Sequence, residues 1–431
     1  MTSEPCLKLL PNGLAIYLKE IHTAPIISHW VWYRVGSRNE VAGSTGISHW
    51  VEHLQFKGTP RFPASQLDKA ISRTGGVWNA FTYLDWTTFY ETLPASQIDL
   101  ALDLECDRMT GSLFDPADVE SERNVILAEL EGNQNEPRFR LGEAVQKTAF
   151  DIHPYRNEVI GSREDLKQIQ RSHLFAHYQR FYQPANAVIA VAGDFDADEM
   201  FARIAGRYTD IPAGPMLTDR VPPEPPLTAE RNVEVTGPGS TTYLQLAYRA
   251  PTAREPDFFP FTILDSLLGG PTSLNMFGGG GTTNKTSRLY KALVETELAV
   301  SVRAGLQATI DPFLYEIAAT LRPERTPAQV LAAIDVQISR LQDELIPEAE
   351  IARAAKQARA MFAYGSENIT NQAFWLGYAE MFSRYSWFTG YIESLAQVTP
   401  ADVQRVARIY LQPQRRVVGM YLPEGPQEGV P

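Results

Sequence analysis

Residues 49–53 read His-Trp-Val-Glu-His. Two imidazoles and a carboxylate so close in sequence can hold a metal ion and move a proton, provided that they share a face. In a helix each residue turns by about 100°, so side chains four apart lie one above the other. His49, Glu52, His53 and Phe56 then fall in a narrow arc, with Ile47, Trp50, Val51 and Leu54 opposite. An i, i+4 histidine pair can bring two ring nitrogens to about 2 Å from one ion. The glutamate between them is too constrained to be a third ligand but close to a bound water, where a general base works. Ser44 or Thr45 is expected to cap the start of this helix, and Lys57 with Gly58, ahead of Pro60, to end it.

A second pair, His173 and His177 in SHLFAHYQRFY, has the same spacing with only Leu, Phe and Ala between. No carboxylate shares its face, so these two read as structural histidines. A catalytic zinc takes three protein ligands and keeps one position open, so the first pair needs a partner from elsewhere. ESERNVILAELEGNQNEP carries Glu122 and Glu129 two helical turns apart, with Val125 on the same stripe. One carboxylate could bind the metal and the other could orient a histidine. Acidic residues on a helix are otherwise mostly solvated surface, and this pair gains weight because the first helix lacks a ligand.

The elements that must position these groups fall into two runs. DIPAGPMLTDRVPPEPPLTAERN, residues 210–232, holds six prolines, which exclude a long helix or a central strand and cut the chain nearly in half. NGLAIYLKEIHTAPIISHWVWYRVGS before the break and NVEVTGPGSTTYLQLAYRAP after it alternate like paired strands. NAVIAVAGDFDADEMFARIAGRYTDI reads as a buried strand, an acidic turn and an amphipathic helix. Each half turns helical after its opening strands. The expected fold class is α+β: two homologous α/β-sandwich halves, each an antiparallel-rich sheet with helices packed on it. The expected domains are 1–212, a proline-rich linker 213–230, and 231–431.

Composition excludes several partners. The chain of 431 residues is 44% hydrophobic and carries a net charge of -12, with no basic run to form a nucleic-acid groove. Only Cys6 and Cys106 are present, too few for a disulfide framework, which fits a reducing compartment. The N-terminal stretch has no basic region followed by an apolar one, and no segment reaches about 18 apolar residues, so the expectation is a soluble, cytoplasmic protein with no membrane partner.

HWVEH followed by FKGT, with ERNVILAEL some seventy residues on, closely resembles the inverted-zincin peptidases of the pitrilysin and insulinase family (M16), which includes the mitochondrial processing peptidase. GGVWNAFTYLDWTTFYETL, HPYRNEVIGSREDL and YQPANAVIAVAGDFD stand in the family's order, and its two-half architecture covers the whole chain. The resemblance implies one Zn2+ ion held by His49, His53 and Glu129, with Glu52 as general base and Glu122 supporting the site. It implies a peptide substrate, met by Asn79 and Ala80 at the start of a strand whose exposed edge accepts an extended chain.

The resemblance fails at one place. Self-sufficient members carry an arginine and a tyrosine in the C-terminal half that polarise the substrate, whereas this chain reads LVETELAVSV, with Val294 and Val300 at about those positions. Neither can donate a hydrogen bond to a developing oxyanion. Arg288 in TSRLYKAL belongs to a neighbouring landmark. Some small family members work as heterodimers in which one subunit brings zinc and a homologous subunit brings the Arg/Tyr pair, and this chain resembles the zinc-bearing one. The glycine-rich NMFGGGGTTNKTS, residues 275–287, lacks the ending of a phosphate loop and reads as a loop near substrate or partner, or as plain surface. The function expected from all this is a zinc metalloendopeptidase subunit acting in an enclosed chamber. The alternative is a non-catalytic relative that keeps the fold for scaffolding or peptide binding.

Overall fold

The computed structural model describes residues 4–217, 221–271, 274 and 284–424, so residues 275–283 of the glycine-rich stretch lie outside it. Strands β1 (Cys6–Leu9), β2 (Ala15–Glu20), β3 (Ile26–Tyr33), β4 (Val77–Thr82), β5 (Thr87–Pro94) and β6 (Ala187–Gly193) form a six-stranded sheet in the order β1-β2-β6-β3-β5-β4. Strands β7 (Arg231–Gly237), β8 (Tyr243–Arg249), β9 (Ala299–Gly305), β10 (Leu314–Leu321) and β11 (Arg416–Pro423) form a five-stranded sheet in the order β7-β11-β8-β10-β9. With β1 set aside the two orders match position by position. The parallel pair β2/β6 recurs as β7/β11, and the other neighbours are antiparallel. The α+β class with a repeated antiparallel-rich sheet is therefore borne out.

Helices of the first run are α1 (Ile47–Leu54), α2 (Ala64–Arg73), α3 (Ile98–Gly111), α4 (Pro116–Gln134), α5 (Pro137–Ala149), α6 (Arg163–Gln168), α7 (Arg171–Phe181) and α8 (Ala197–Tyr208). Those of the second are α9 (Phe258–Leu268), α10 (Pro327–Asp343), α11 (Glu348–Tyr364), α12 (Ile369–Phe382), α13 (Tyr385–Ala396) and α14 (Pro400–Tyr410). No helix among the described residues is long and apolar enough to cross a membrane.

The chain gathers into two compact units, each of which takes a segment from the other half of the sequence. One comprises Met1–Leu130, Asn157–Val221 and Ser366–Phe388; the other comprises Glu131–Arg156, Pro222–Gly365 and Thr389–Pro431. Within the first, α12 packs on β2, β3 and β6; within the second, α5 packs on the equivalent strands β7, β8 and β11. The strands explain why such covers are needed. β6 (AVIAVAG) is buried along its whole length, and β3 brings Trp30 and Trp32 wholly out of solvent. A strand apolar on both faces needs a layer on each. Phe374 of α12 meets both indoles edge-on at 5.5 and 5.3 Å. α12 comes this close because of Gly377, where a Cβ would stand 2.2 Å from the Trp32 ring.

Candidate metal centre

α1 is the element that carries the histidines, and its start is held by a residue that sequence patterning did not single out. Gly46 occupies the N-cap in the left-handed region (φ 86), where a Cβ would meet Ile160 O at 2.4 Å. Neither Ser44 nor Thr45 caps the helix, contrary to expectation; the Thr45 hydroxyl donates instead to Asp165 at 2.6 Å. The cap is Glu40. Its two buried carboxylate oxygens accept from Gly46 N at 2.8 Å and Ser48 N at 2.9 Å, satisfying free N–H groups of the first turn and meeting the positive end of the helix dipole. Burial pushes the Glu40 carboxyl up to about 8, against the pull of these hydrogen bonds.

The apolar face behaves as the helical period predicts, with Trp50, Val51 and Leu54 free of solvent. The helix ends at Leu54 with Gln55 as C-cap, and the chain turns away through Gly58 at φ 93. Ser48 Oγ donates to Gly36 O and lies 3.3 Å from Nε2 of the buried His177. His173 Nδ1 accepts from its own helix start at Gln170 N. These two histidines stand where a structural role puts them.

On the other face the polar groups converge. Glu129 Oε2, on α4, is 3.9 Å from His49 Nε2 and 4.0 Å from His53 Nε2. The imidazole rings are 4.6 Å apart at 72°. One donor atom from each of these three residues lies within 4.8 Å of the others. Ligands bound at about 2 Å in a tetrahedral site would be separated by roughly 3.3 Å, so small side-chain movements would complete the set. Glu122, two turns earlier on α4, places Oε2 3.0 Å from His53 Nδ1. A neutral His53 that donates from Nδ1 keeps its Nε2 lone pair for the side facing Glu129. Glu122 Oε1 in turn receives Lys57 Nζ at 2.5 Å, a partner read in the sequence only as part of a helix stop. Burial, with His53 alongside, pushes His49 down to about 3, which keeps the imidazole in the neutral form that ligates. Two imidazoles and one carboxylate, one ring already oriented by a second carboxylate, are a donor set that fits a catalytic zinc.

Glu52 sits between the histidines with 8% of its surface exposed. Burial pushes its carboxyl up to about 7, opposed by hydrogen bonds from Thr82. The Thr82 hydroxyl donates to Glu52 Oε2 at 2.6 Å. Thr82 ends β4, the edge strand that also holds Asn79 and Ala80; Asn79 is exposed, and its Oδ1 accepts from Ala80 N at 2.9 Å. Period-two alternation along β4 puts Trp78, Ala80 and Thr82 on one face and Val77, Asn79 and Phe81 on the other. That alternation puts Thr82 on the same face as Ala80, but nothing in the sequence paired it with Glu52.

In the second unit, Val294 closes a short π-helical segment, Tyr290–Val294, and Val300 is the second residue of β9, 56% exposed. Arg288 is held by Glu350 at 3.1 Å.

Residues 15–163 match the family described as Insulinase (Peptidase family M16), and residues 168–358 match the one described as Peptidase M16 inactive domain. A Mycobacterium leprae protein named as an uncharacterized zinc protease is 31% identical over 412 residues, which span 93% of this chain and 87% of that one. An Arabidopsis thaliana protein named as a probable beta subunit of the mitochondrial-processing peptidase is 26% identical over 81% of this chain and 65% of its own. The crystal structure of a protease from Helicobacter pylori superposes with a TM-score of 0.89 at 25% identity, covering 97% of this chain and 100% of the other.

Proposed function

This chain belongs to the insulinase family of peptidases, family M16, and we propose that it is the zinc-bearing subunit of a metalloendopeptidase, completed by a homologous subunit that supplies an Arg/Tyr pair. The observation that carries the proposal is the meeting of His49, His53 and Glu129 around one point with Glu52 in the same helical turn. In this reading His49, His53 and Glu129 hold one Zn2+, and Glu122 orients His53. Zinc supplies a Lewis acid that polarises a scissile carbonyl and makes water more acidic.

The chain's own residues do the rest. Glu52 takes a proton from the attacking water and returns it to the leaving amine, and burial suits its carboxyl to both steps near neutral pH. The edge of β4 around Asn79 and Ala80 takes an extended peptide by strand addition. Val294 and Val300 offer no donor to the tetrahedral oxyanion, so that task falls to the partner. The same two valines favour a second reading, a relative kept for peptide binding or scaffolding without hydrolysis.

The test is hydrolysis of a quenched fluorescent peptide of about 20 residues, about 66 Å when extended. It is run with the chain alone, with a co-expressed homologous subunit bearing Arg and Tyr, and with Glu52→Gln in the same pairing. Chelator-sensitive cleavage that needs the partner and is lost in Glu52→Gln supports the heterodimeric peptidase. Silence in every pairing, with zinc bound, favours the scaffold.

A further inference from the structure

Strand β4 touches the proposed chemistry twice. Its free edge carries Asn79 and Ala80, and its last residue, Thr82, reaches across to Glu52 on α1. The Thr82 hydroxyl donates to Glu52 Oε2 at 2.6 Å. The hydroxyl is itself fixed. Thr82 pairs across the sheet with Thr87, the two Oγ1 atoms lying 3.2 Å apart, and Thr87 Oγ1 donates to Val35 O at 2.9 Å. Thr87 is wholly buried and its proton goes to Val35, so the Thr82 hydroxyl is placed by the strand register against the sheet and keeps its own proton for Glu52.

A glutamate side chain on a helix has three rotatable bonds, and nothing in the ligand set restrains the one between His49 and His53. A general base a fraction of an ångström out of place loses much of its rate, because proton transfer requires hydrogen-bond reach in a defined direction. With Oε2 accepting from Thr82, one end of the Glu52 carboxylate is tied to β4, and Oε1 is left for the water.

We infer that Thr82 is a positioning residue for Glu52, and that β4 thereby sets both the register of a bound peptide and the aim of the base. The inference rests on the peptidase reading above and adds to it a residue that does not touch substrate or metal. A charge-assisted hydrogen bond of this kind corresponds to about a 10- to 100-fold effect on rate.

The test uses Thr82→Val, which keeps the shape and removes the hydroxyl donor, and Thr82→Ser, which keeps the donor. Both are assayed for kcat, KM and bound zinc in the partnered form in which the wild type cleaves and Glu52→Gln does not. Thr82→Val is expected to lower kcat about 10- to 100-fold with KM and zinc content unchanged, and Thr82→Ser to stay within about threefold of wild type. Wild-type kcat in Thr82→Val, or an equal loss in both variants, overturns the inference. If the wild type itself cleaves nothing, the peptidase reading has failed, and crystal structures of wild type and Thr82→Val decide the remaining point. A Glu52 carboxylate that leaves its place in Thr82→Val supports the tether, and one that stays put refutes it.

Discussion

α1 and α9 stand at the same place in two sheets of the same strand order, each following the strand at the sheet's centre, β3 or β8. One reads ISHWVEHL and the other FFPFTILDSLL. α9 buries ten of its eleven residues, whereas α1 leaves both imidazoles partly open to solvent. α4 and α11 differ likewise: Glu122 and Glu129 project from the first, while the second presents Ala354, Ala358 and Met361 to its core. The architecture is thus indifferent to the chemistry. A few side chains on two helices distinguish the unit whose described residues include a possible metal-holding group from the other.

That contrast can be broken at several points. The largest effect belongs to Glu52→Gln, which should cut peptide hydrolysis by about 10²- to 10⁴-fold while zinc content, read by elemental analysis, stays at wild-type level. Next comes Glu122→Gln, which leaves His53 Nδ1 without its carboxylate and should weaken zinc binding about 10- to 100-fold in a competition titration. Zinc should also raise the melting temperature of the wild type by more than that of this variant.

A third change sharpens the contrast from the other side. Val294→Arg with Val300→Tyr should leave the unpartnered chain within about threefold of its wild-type cleavage of the same peptide, because the pair is still missing from the partner's place, and one oxyanion donor is worth about 10²- to 10³-fold in other enzymes. A gain of about tenfold or more would mean that the chain needs no homologous subunit for that task.

The smallest effects concern the two cover helices. Gly377→Ala would drive a methyl into the Trp32 indole and should cost about 1–3 kcal/mol in denaturant unfolding. Gly142→Ala on α5 has only Gln245 Oε1, at 4.0 Å, within reach and should be neutral or gain up to about 1 kcal/mol from helix propensity. In the second unit the close approach is made by a strand residue, Gly419, whose Cβ would stand 2.2 Å from Val145 of α5.

The sequence showed the faces of helices better than the partners of those faces. The 100° period sorted α1 correctly, since Trp50, Val51 and Leu54 are buried opposite the histidines. The seven-residue spacing placed Glu122 and Glu129 on one stripe, and both reach the histidine pair. What stayed hidden depends on contacts that periodicity does not encode. Glu40 caps a helix that starts seven residues later, in place of the serine or threonine next to it. Thr82 meets Glu52 only because β4 runs beside α1, a fact of strand register. An apolar helix surface announces that it will be covered, but not by which sheet, so α5 and the nearly all-round buried α12 gave no sign of the sheets that they would join.

The exchange of those two helices has a further consequence for how the gene product can be divided. A cut in the proline-rich stretch would yield two fragments of nearly equal length, each with a sheet stripped of its own lid and holding the lid of the other. Neither fragment is a module that could be borrowed whole or lost whole. Each half of the sequence therefore depends on the other for the helix that covers its sheet.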